Sequence, residues 1–304
     1  MALPMRSNDF RPIVEPILNE AFDGIYDQRK DEYKPVFKEQ QGIARSYHEE
    51  PVLYGFGAAP EMPEGKPVVY QSGGVLFNKR YFYQVWGLAF ALTKVLVEDG
   101  DSISIGTTYA KHLAQSIIET TELNAANILN RAFNSSFVGG DGSALSVNNH
   151  PIVSGTFSNL LTTAANLSQT SVEQMCIQIR QAVDNNGKRI NLDPELLVLA
   201  PGNVFQGEVI LKSVLRTGTA NNDINPVKSM GLLSKGQANM SRLTSPTAWW
   251  IETSAPDGLK NMTRRALTKS MEGDFETDSM RYKATIRYRF GWTDPRGVWG
   301  TPGV

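Results

Sequence analysis

The sequence predicts an α+β fold with an N-terminal helix, a long β-hairpin, a long helix and a mixed α/β region that ends in a strand. Three observations support this prediction. Apolar residues recur at helical spacing over about residues 107–133, they alternate with cations over residues 281–290, and turn-rich segments separate short apolar runs between the two. With 304 residues, 41% of them hydrophobic and 20% charged, the chain has the composition of a globular protein with a sizeable core.

The N-terminal segment DFRPIVEPILNEAFDGIYDQ places apolar residues on one face at helical spacing. Pro12 and Pro16 predict that this helix starts late or is kinked. The charged stretch YDQRKDEYKPVFKEQQ follows and shows no repeated apolar face. A helix tethered by such a segment is typical of an arm that leaves the body, and a helix packed on its own domain is the alternative.

A strand-rich region runs from about Gly42 to Val85. In it, EPVLYGF and KPVVYQ flank the turn-rich segment GAAPEMPEGK, and KRYFYQVW is a third strand candidate. An exposed hairpin with so many apolar side chains would be an aggregation hazard on an isolated subunit. We therefore expect it to lie across a neighbouring subunit. Its expected contact residues are Tyr54, Phe56, Lys66, Val68 and Tyr70.

Two helical patterns follow the hairpin. FALTKVLVEDGD, residues 90–101, predicts a short helix that ends near Gly100. The longest helical pattern runs from about Thr107 to Phe133 without an internal glycine or proline, which predicts a rod of about 40 Å at 1.5 Å per residue. A helix of this length is expected to be a scaffold element of the fold.

The region after this helix alternates between helix and strand patterns. TSVEQMCIQIRQAVDNNG predicts a helix whose capping box is Thr170 and Glu173, and whose apolar face holds Cys176. PELLVLA and TAWWIET predict strands, NVFQGEVILKSVLR predicts a helix, and GTANNDINPVKSMG predicts a polar loop. Because no histidine or cation is adjacent in sequence, we expect the thiol to lie in the core rather than to react.

The C-terminal segment RYKATIRYRF has one apolar and one cationic face at period two, which predicts a strand. Its cationic face has three interpretations: a solvated face of a sheet, a contact with acidic residues of a neighbouring subunit, or a contact with DNA. The expected intersubunit contacts on this strand are Arg281, Lys283, Arg287 and Arg289.

The segment VGGDGSALSVNNHPIVSGTFSNL contains Asp141, Ser143, His150 and Ser154, which are the residue types of a hydrolytic triad. Neither serine lies in a Gly-x-Ser-x-Gly motif, and the glycines and asparagines around them are typical of turns. Candidate motifs for a dinucleotide, a phosphate loop, a zinc protease and a calcium loop each fail at a required position. We therefore expect no catalytic, cofactor-binding or metal-binding residue.

The composition argues against several other classes of protein. A formal net charge of −1 supplies no sequence-wide basic field for nucleic acid, and one cysteine allows no intrachain disulfide. The apolar segment at residues 81–97 is too short to span a bilayer, and the first residues lack the apolar core of a signal peptide. These features predict a cytoplasmic protein without a membrane partner.

The order of these elements resembles the major capsid protein of tailed bacteriophages, which has the Hong Kong 97-type fold. GGDGSALSVNNHPIVSGTFSNLL is similar to the Asp-Gly…His-Pro…Ser-Asn segment that follows the spine helix in that family. NLDPELLVLAPGN, GTANNDINPVKS and FGWTDPRGVWG are similar to later parts of it. The resemblance implies a structural subunit without enzymatic activity, which self-assembles into an icosahedral shell enclosing double-stranded DNA.

The resemblance also implies a division of the chain. Its parts would be an N-terminal arm (1–45), an extended loop (46–83), a peripheral domain with the spine helix (84–135 and 262–304) and an axial domain (136–261). Some family members crosslink the extended loop covalently through Lys and Asn. Lys66 lies near the predicted loop tip, but the sequence assigns it no Asn partner, so we predict no crosslink.

The partners that the resemblance implies are further copies of the chain in pentamers and hexamers, a separate scaffold protein, a portal and decoration proteins. Packaged DNA would be held without sequence-specific contact. The implied location is the virion, after assembly in the cytoplasm of a host bacterium. Two alternatives stay open: an encapsulin-type bacterial compartment shell with the same fold, and a cytosolic α/β hydrolase that uses Ser154 and His150.

Overall fold

The computed structural model describes residues 7–41, 45–93, 102–216, 223–274 and 279–304. Its helices are α1 Ser7–Tyr26, α2 Ser102–Asn130, α3 Gln169–Arg180, α4 Val204–Lys212 and α5 Pro226–Ser229. Its strands are β1 Lys38–Gln41, β2 Tyr47–Tyr54, β3 Gly74–Phe82, β4 Gln84–Thr93, β5 His150–Ile152, β6 Gly155–Phe157, β7 Pro194–Leu199, β8 Gln237–Asn239, β9 Trp249–Thr253, β10 Leu259–Asp274, β11 Ser279–Trp292 and β12 Val298–Thr301.

The first sheet has the strand order β1-β10-β11-β4, with β1 parallel to β10 and the other pairs antiparallel. Strand β11 confirms the alternation predicted from the sequence, because every second side chain is buried and the cations between them face outward. The buried set is Tyr282, Ala284, Ile286, Tyr288 and Phe290. These side chains pack into one core with α1 and α2.

The long helix α2 begins five residues earlier than predicted and ends at Asn130. Its 29 residues span roughly 44 Å at 1.5 Å per residue. Leu113, Ile117 and Leu129 on its apolar stripe are buried in the core of the first sheet, as the helical spacing predicts. Tyr109 from the same stripe is half-exposed.

Helix α1 packs against α2 within the same subunit, with Leu18 and Phe22 fully buried. It runs through both prolines from Ser7, so the predicted late start is wrong. The charged segment after it is also anchored, because Tyr33 and Phe37 lie edge-on to Phe290 with ring centroids 5.3 and 5.1 Å away. Only a few apolar residues of this segment make the contact. The sequence therefore shows no periodic apolar face there.

The second sheet has the strand order β12-β9-β7-β8. Strand β7 is buried on both faces: Leu196 and Val198 enter the first core, whereas Leu197 and Leu199 enter a second core beneath α3 and α4. A continuous apolar run is typical of such a doubly covered strand. Because β12 pairs with β9, the C-terminal end of the chain leaves the first sheet and completes the second.

Two local predictions in this part of the chain need correction. The cap of α3 is Ser168, which forms a capping box with Ser171, two residues before the predicted Thr170. Cys176 is buried on the inner face of this helix, as predicted. The helix predicted for residues 90–101 is wrong at Phe90–Thr93, which end strand β4, and its remainder lies outside the described residues.

The hairpin pairs β2 with β3 in antiparallel register, from Tyr47 opposite Phe82 to Tyr54 opposite Gly74. The segment KPVVYQ, predicted as its second strand, lies instead in the irregular connection 55–73. Pro60, Pro63 and Pro67 in this connection lack the backbone donors that a ladder would use, and pairing resumes at Gly74. The connection 55–73 is called the hairpin tip below.

Candidate assembly surfaces and a buried histidine

The hairpin tip exposes large apolar side chains to solvent. Tyr70 is 94% exposed, Val68 63% and Phe56 58%, while Tyr54 at the end of β2 is half-buried and Lys66 is exposed. The structure thus brings the predicted contact residues of the hairpin to one end of it. An apolar surface of this kind is expected to be covered by another protein surface.

The paired strands of the hairpin are fastened to the body of the subunit at both ends. At the end that adjoins the tip, Asn185 and Asn186 donate from Nδ2 to the carbonyls of Leu53 and Gly55, at 3.1 and 2.8 Å. At the opposite end, the hydroxyl of Tyr81 in β3 donates to the carbonyl of Trp292 at 2.5 Å. These contacts hold the strands and the first residue of the tip against the subunit, while the large apolar side chains of the tip stay exposed.

A buried ionic cluster supports the base of the hairpin. Lys260 Nζ lies 2.7 Å from Glu50 Oε2 and 2.7 Å from Asp257 Oδ1, and Thr293 also donates to Glu50. Burial acts to raise the pKa of Glu50, but hydrogen bonds from Lys260, Thr293 and His48 hold it below its ordinary value. The carboxylate therefore stays charged and ties β2 to β10.

The four predicted cations of β11 share one face of the first sheet but differ in exposure. Arg281 and Lys283 are exposed, and Arg281 pairs with Asp274 on β10. Arg287 and Arg289 are half-buried, and Arg289 donates to Gln84 Oε1 at 2.7 Å. Arg281 and Arg289 therefore each have a contact within the subunit, and the exposed end of this face at Arg281 and Lys283 is accessible to a partner.

His150 is fully buried and hydrogen-bonded on both sides of its ring. Its Nδ1 lies 2.6 Å from Asp141 Oδ2, and its Nε2 lies 3.2 Å from Asn159 Oδ1. Ser143 contributes its backbone N–H to Asp141 Oδ1, and within the described hydrogen bonds neither Ser143 nor Ser154 reaches the imidazole. With both ring nitrogens occupied, this group has no base available for a serine, which argues against the hydrolase alternative.

Asn159 connects this histidine to the C-terminal part of the chain. Its Nδ2 donates to the carbonyls of Leu145, Pro295 and Val298 at 2.7, 3.0 and 2.9 Å. Its Oδ1 also accepts from the backbone of Val147 at 2.9 Å. The Asp-Gly…His-Pro…Ser-Asn segment is thus a structural clamp that joins this part of the chain to the C-terminal segment.

In the described part of the chain, no helix is long and apolar enough to cross a membrane. The same residues contain no group of three histidine, cysteine, aspartate or glutamate side chains with the geometry to hold a metal ion.

Comparisons with known proteins agree with this fold. A family model described as "Phage capsid protein" matches residues 81–300. Among solved structures, a virus-like particle from Pyrococcus furiosus is 11% identical with a TM-score of 0.53, over 94% of this chain and 98% of the other. The capsid of the cyanophage P-SCSP1u is 9% identical with a TM-score of 0.52, over 88% and 86% of the two chains. The mature capsid of bacteriophage PhiM1 is 11% identical with a TM-score of 0.51, over 90% and 87%.

A search of curated protein sequences found no match. At such low identity the structural likenesses establish the fold alone, and they confirm the mixed α+β architecture of the Hong Kong 97 type. The match to the family model establishes the family as well as the fold, because it spans most of the chain. This chain therefore belongs to the phage capsid protein family and is a structural major capsid protein, a component of a multimeric virion shell.

Proposed function

We propose that this chain is the head subunit of a tailed bacteriophage that closes into an icosahedral shell of pentamers and hexamers around double-stranded DNA, without a catalytic role. The hairpin tip is the observation that carries the proposal, because its apolar side chains, led by Tyr70 at 94% exposure, have no cover within the subunit. Many modest contacts become stable when each subunit is held by several others.

We further propose that two surfaces make the intersubunit contacts. One is the hairpin tip with the end of β2, and the other is the cationic face of β11. The proposed contact residues are Tyr54, Phe56, Lys66, Val68, Tyr70, Arg281, Lys283, Arg287 and Arg289. A half-buried cation such as Arg289 suits a contact with a neighbour's carboxylate better than a freely hydrated one, because less water must be displaced.

The division of the chain is part of the same proposal: arm 1–45, extended loop 46–83, peripheral domain 84–135 with 262–304, and axial domain 136–261. Several contacts join these parts. Helix α1 of the arm packs on α2, and β12 of the peripheral span pairs with β9 of the axial span. A separate scaffold protein, a portal, decoration proteins and assembly in the cytoplasm of the host complete the proposed setting.

The test is a variant in which residues 58–70 are replaced by two glycines. Because Gly57 N donates to Gln71 Oε1 at 2.8 Å, the two ends of this replacement already lie together and the hairpin should close. We expect an unchanged melting temperature and no closed particles by electron microscopy and light scattering. Val304→Ser, which alters an 83% exposed apolar residue elsewhere, serves as the control and should assemble normally.

Normal particles from the tip-deleted subunit would overturn the assembly role of the hairpin. The contents of wild-type particles test the DNA part of the proposal separately. Nuclease-protected double-stranded DNA of uniform length supports a phage head, whereas protein cargo without DNA would support the compartment shell instead.

A further inference from the structure

A cationic cleft of about 360 Å³ lies where the base of the hairpin meets the end of α2 and strand β11. Lys79 comes from β3, Arg131 directly follows α2, and Arg289 comes from β11. These three side chains are far apart in sequence, and only the fold brings them to one opening. The opening that these three side chains line is named the cationic cleft.

Within the described part of the subunit, these three cations contact neutral groups. Lys79 Nζ donates to the carbonyl of Val138 at 3.1 Å, Arg289 donates to Gln84, and the guanidinium of Arg131 lies 4.3 Å from the centre of the Phe137 ring. The fourth cation that lines the opening, Arg80, already pairs with Glu49 on β2. The residues that line the cleft include no aspartate or glutamate.

The three cations also influence one another. Burial, and then the positive charge of Arg289, lower the pKa of Lys79, which Asp141 only partly offsets. Burial lowers the pKa of Arg289; Tyr81 opposes this shift, and the positive charge of Arg131 adds to it. Asp141 itself is committed to His150 and to the backbone of Ser143. An incoming anion would therefore relieve repulsion that the subunit alone leaves uncompensated.

The rim of the cleft indicates the kind of anion that fits. Phe82 is 60% exposed, Val138 49% and Phe137 45%. A nucleic acid backbone presents phosphates and sugars, for which such apolar side chains are poor partners. A polypeptide segment that carries carboxylates next to apolar side chains matches both features of the surface.

The hairpin tip is such a segment. It carries Glu61 and Glu64 on either side of Met62, which is 61% exposed, and its one cation is Lys66. Both glutamate side chains are exposed, and no ion pair of the described residues involves Glu61 or Glu64. The tip joins β2 and β3 at their Tyr54 and Gly74 ends, whereas Lys79 lies toward the opposite end of β3, and no tip residue lines the cleft. A tip that enters the cleft would therefore belong to another copy.

We propose that the cationic cleft receives Glu61 and Glu64 from the hairpin tip of a neighbouring subunit, with Met62 against the apolar rim. This inference rests on the proposed assembly role of the hairpin and names the surface that the tip meets. Arg131 is exposed and meets the two carboxylates at the solvent side of the cleft. Lys79 and Arg289 are half-buried and meet them further inside, where fewer water molecules surround the charges.

Charge reversal tests the pairing. Arg131→Glu and the double change Glu61→Lys with Glu64→Lys should each lower the yield of closed particles by about tenfold or more at low salt, because each places like charges together. Adding Arg131→Glu to the tip change should recover part of the yield that the tip change alone loses, because a carboxylate at position 131 offsets one of the two remaining cations; Lys79 and Arg289 stay positive, so full recovery is not expected. Lys111→Glu, an exposed cation on α2 away from the cleft, makes the same change of charge and should leave the yield unaltered.

A second measurement does not depend on yield. Met62→Cys combined with Val138→Cys should give disulfide-linked oligomers in assembled particles after mild oxidation, whereas Met62→Cys with Val304→Cys should not. The native Cys176 is buried and does not compete.

Wild-type yields and no crosslink, together with a tip deletion that still abolishes assembly, would overturn this inference and leave the proposed function standing. Particles of Arg131→Glu that form at normal yield but retain less DNA would also overturn it, in favour of phosphate as the occupant. Assembly by the tip-deleted subunit would instead refute the proposed function itself.

Discussion

Nδ1 of His150 lies 2.6 Å from Oδ2 of Asp141, and neither side chain reaches solvent. On the other side of the ring, Asn159 turns its Oδ1 toward Nε2, because its Nδ2 is engaged by three backbone carbonyls. Asp141, His150 and Asn159 thus form a buried hydrogen-bonded group that joins the segment after α2 to the C-terminal segment.

Asp141→Ala should lower the free energy of unfolding of the unassembled subunit by about 1–3 kcal/mol, because it leaves a buried imidazole nitrogen without its hydrogen-bond partner. Urea denaturation followed by circular dichroism measures this loss. Lys188→Ala removes an exposed pair with Asp184 at 3.5 Å and should cost less than about 1 kcal/mol. Equal losses from the two variants would contradict the clamp.

Glu122→Gln should stabilise the subunit above neutral pH. Burial, with the negative charges of Glu32 and Asp31, raises the pKa of Glu122 from 4.5 to about 7, although the backbone N–H of Glu32 opposes the shift. Between these two pH values the folded state holds a proton that the unfolded state releases, so stability falls as pH rises through this window. We expect the variant to gain about 1–2 kcal/mol at pH 8 and almost nothing near pH 4.5.

Unfolding curves at several pH values, each compared with wild type, check this dependence. Glu119→Gln on the same helix is the control with the opposite sign, since a hydrogen bond from Arg242 lowers the pKa of Glu119. The ionised carboxylate of Glu119 stabilises the folded state at pH values above its unfolded pKa, and this contribution is lost as pH falls through the lowered folded pKa. Glu119→Gln removes the contribution and should therefore be slightly less stable than wild type at pH 8. A constant difference between Glu122→Gln and wild type across the pH range would refute the assignment.

Cys176 should resist alkylation until the subunit unfolds. The thiol is 3% exposed, and burial raises its pKa to about 12, so the thiolate is scarce at neutral pH. We expect maleimide to label the native subunit at least about a hundredfold more slowly than the urea-unfolded chain. Met62→Cys at the hairpin tip is the accessible control. Equal labelling rates for the native and unfolded chain would show that the second core opens readily.

Gly139→Ala should destabilise the subunit although the change adds a single methyl group. A Cβ at Gly139 would lie 2.0 Å from the ring of Trp292, so the ring or the loop must move, at a cost of about 1–3 kcal/mol. Gly24→Ala in α1 meets no atom within 4 Å and should instead stabilise by about 0.5–1 kcal/mol. The melting temperatures of the two variants distinguish these outcomes. An unchanged melting temperature for Gly139→Ala would show that the Trp292 ring can move at little energetic cost.

Local periodicity accounts for the features of the fold that could be predicted from the sequence. The core stripe of α2, the alternation of β11, the doubly buried β7 and the inward position of Cys176 all follow from which neighbours in the chain are apolar. Where the pattern was weak, prediction failed. The charged segment after α1 is anchored by only a few side chains, and the second strand of the hairpin begins at Gly74 rather than at KPVVYQ.

Patterns in the sequence predict the class of fold and its principal helices and strands, and they contain no recognisable catalytic motif. The packing of α1 on its own subunit, the clamp of His150 with Asp141 and Asn159, and the cleft shared by Lys79, Arg131 and Arg289 become visible only in the folded chain. This difference arises from the range of the interactions. Helical and strand patterns arise between residues a few positions apart, whereas these contacts join segments whose separation in the chain carries no information about their distance in space.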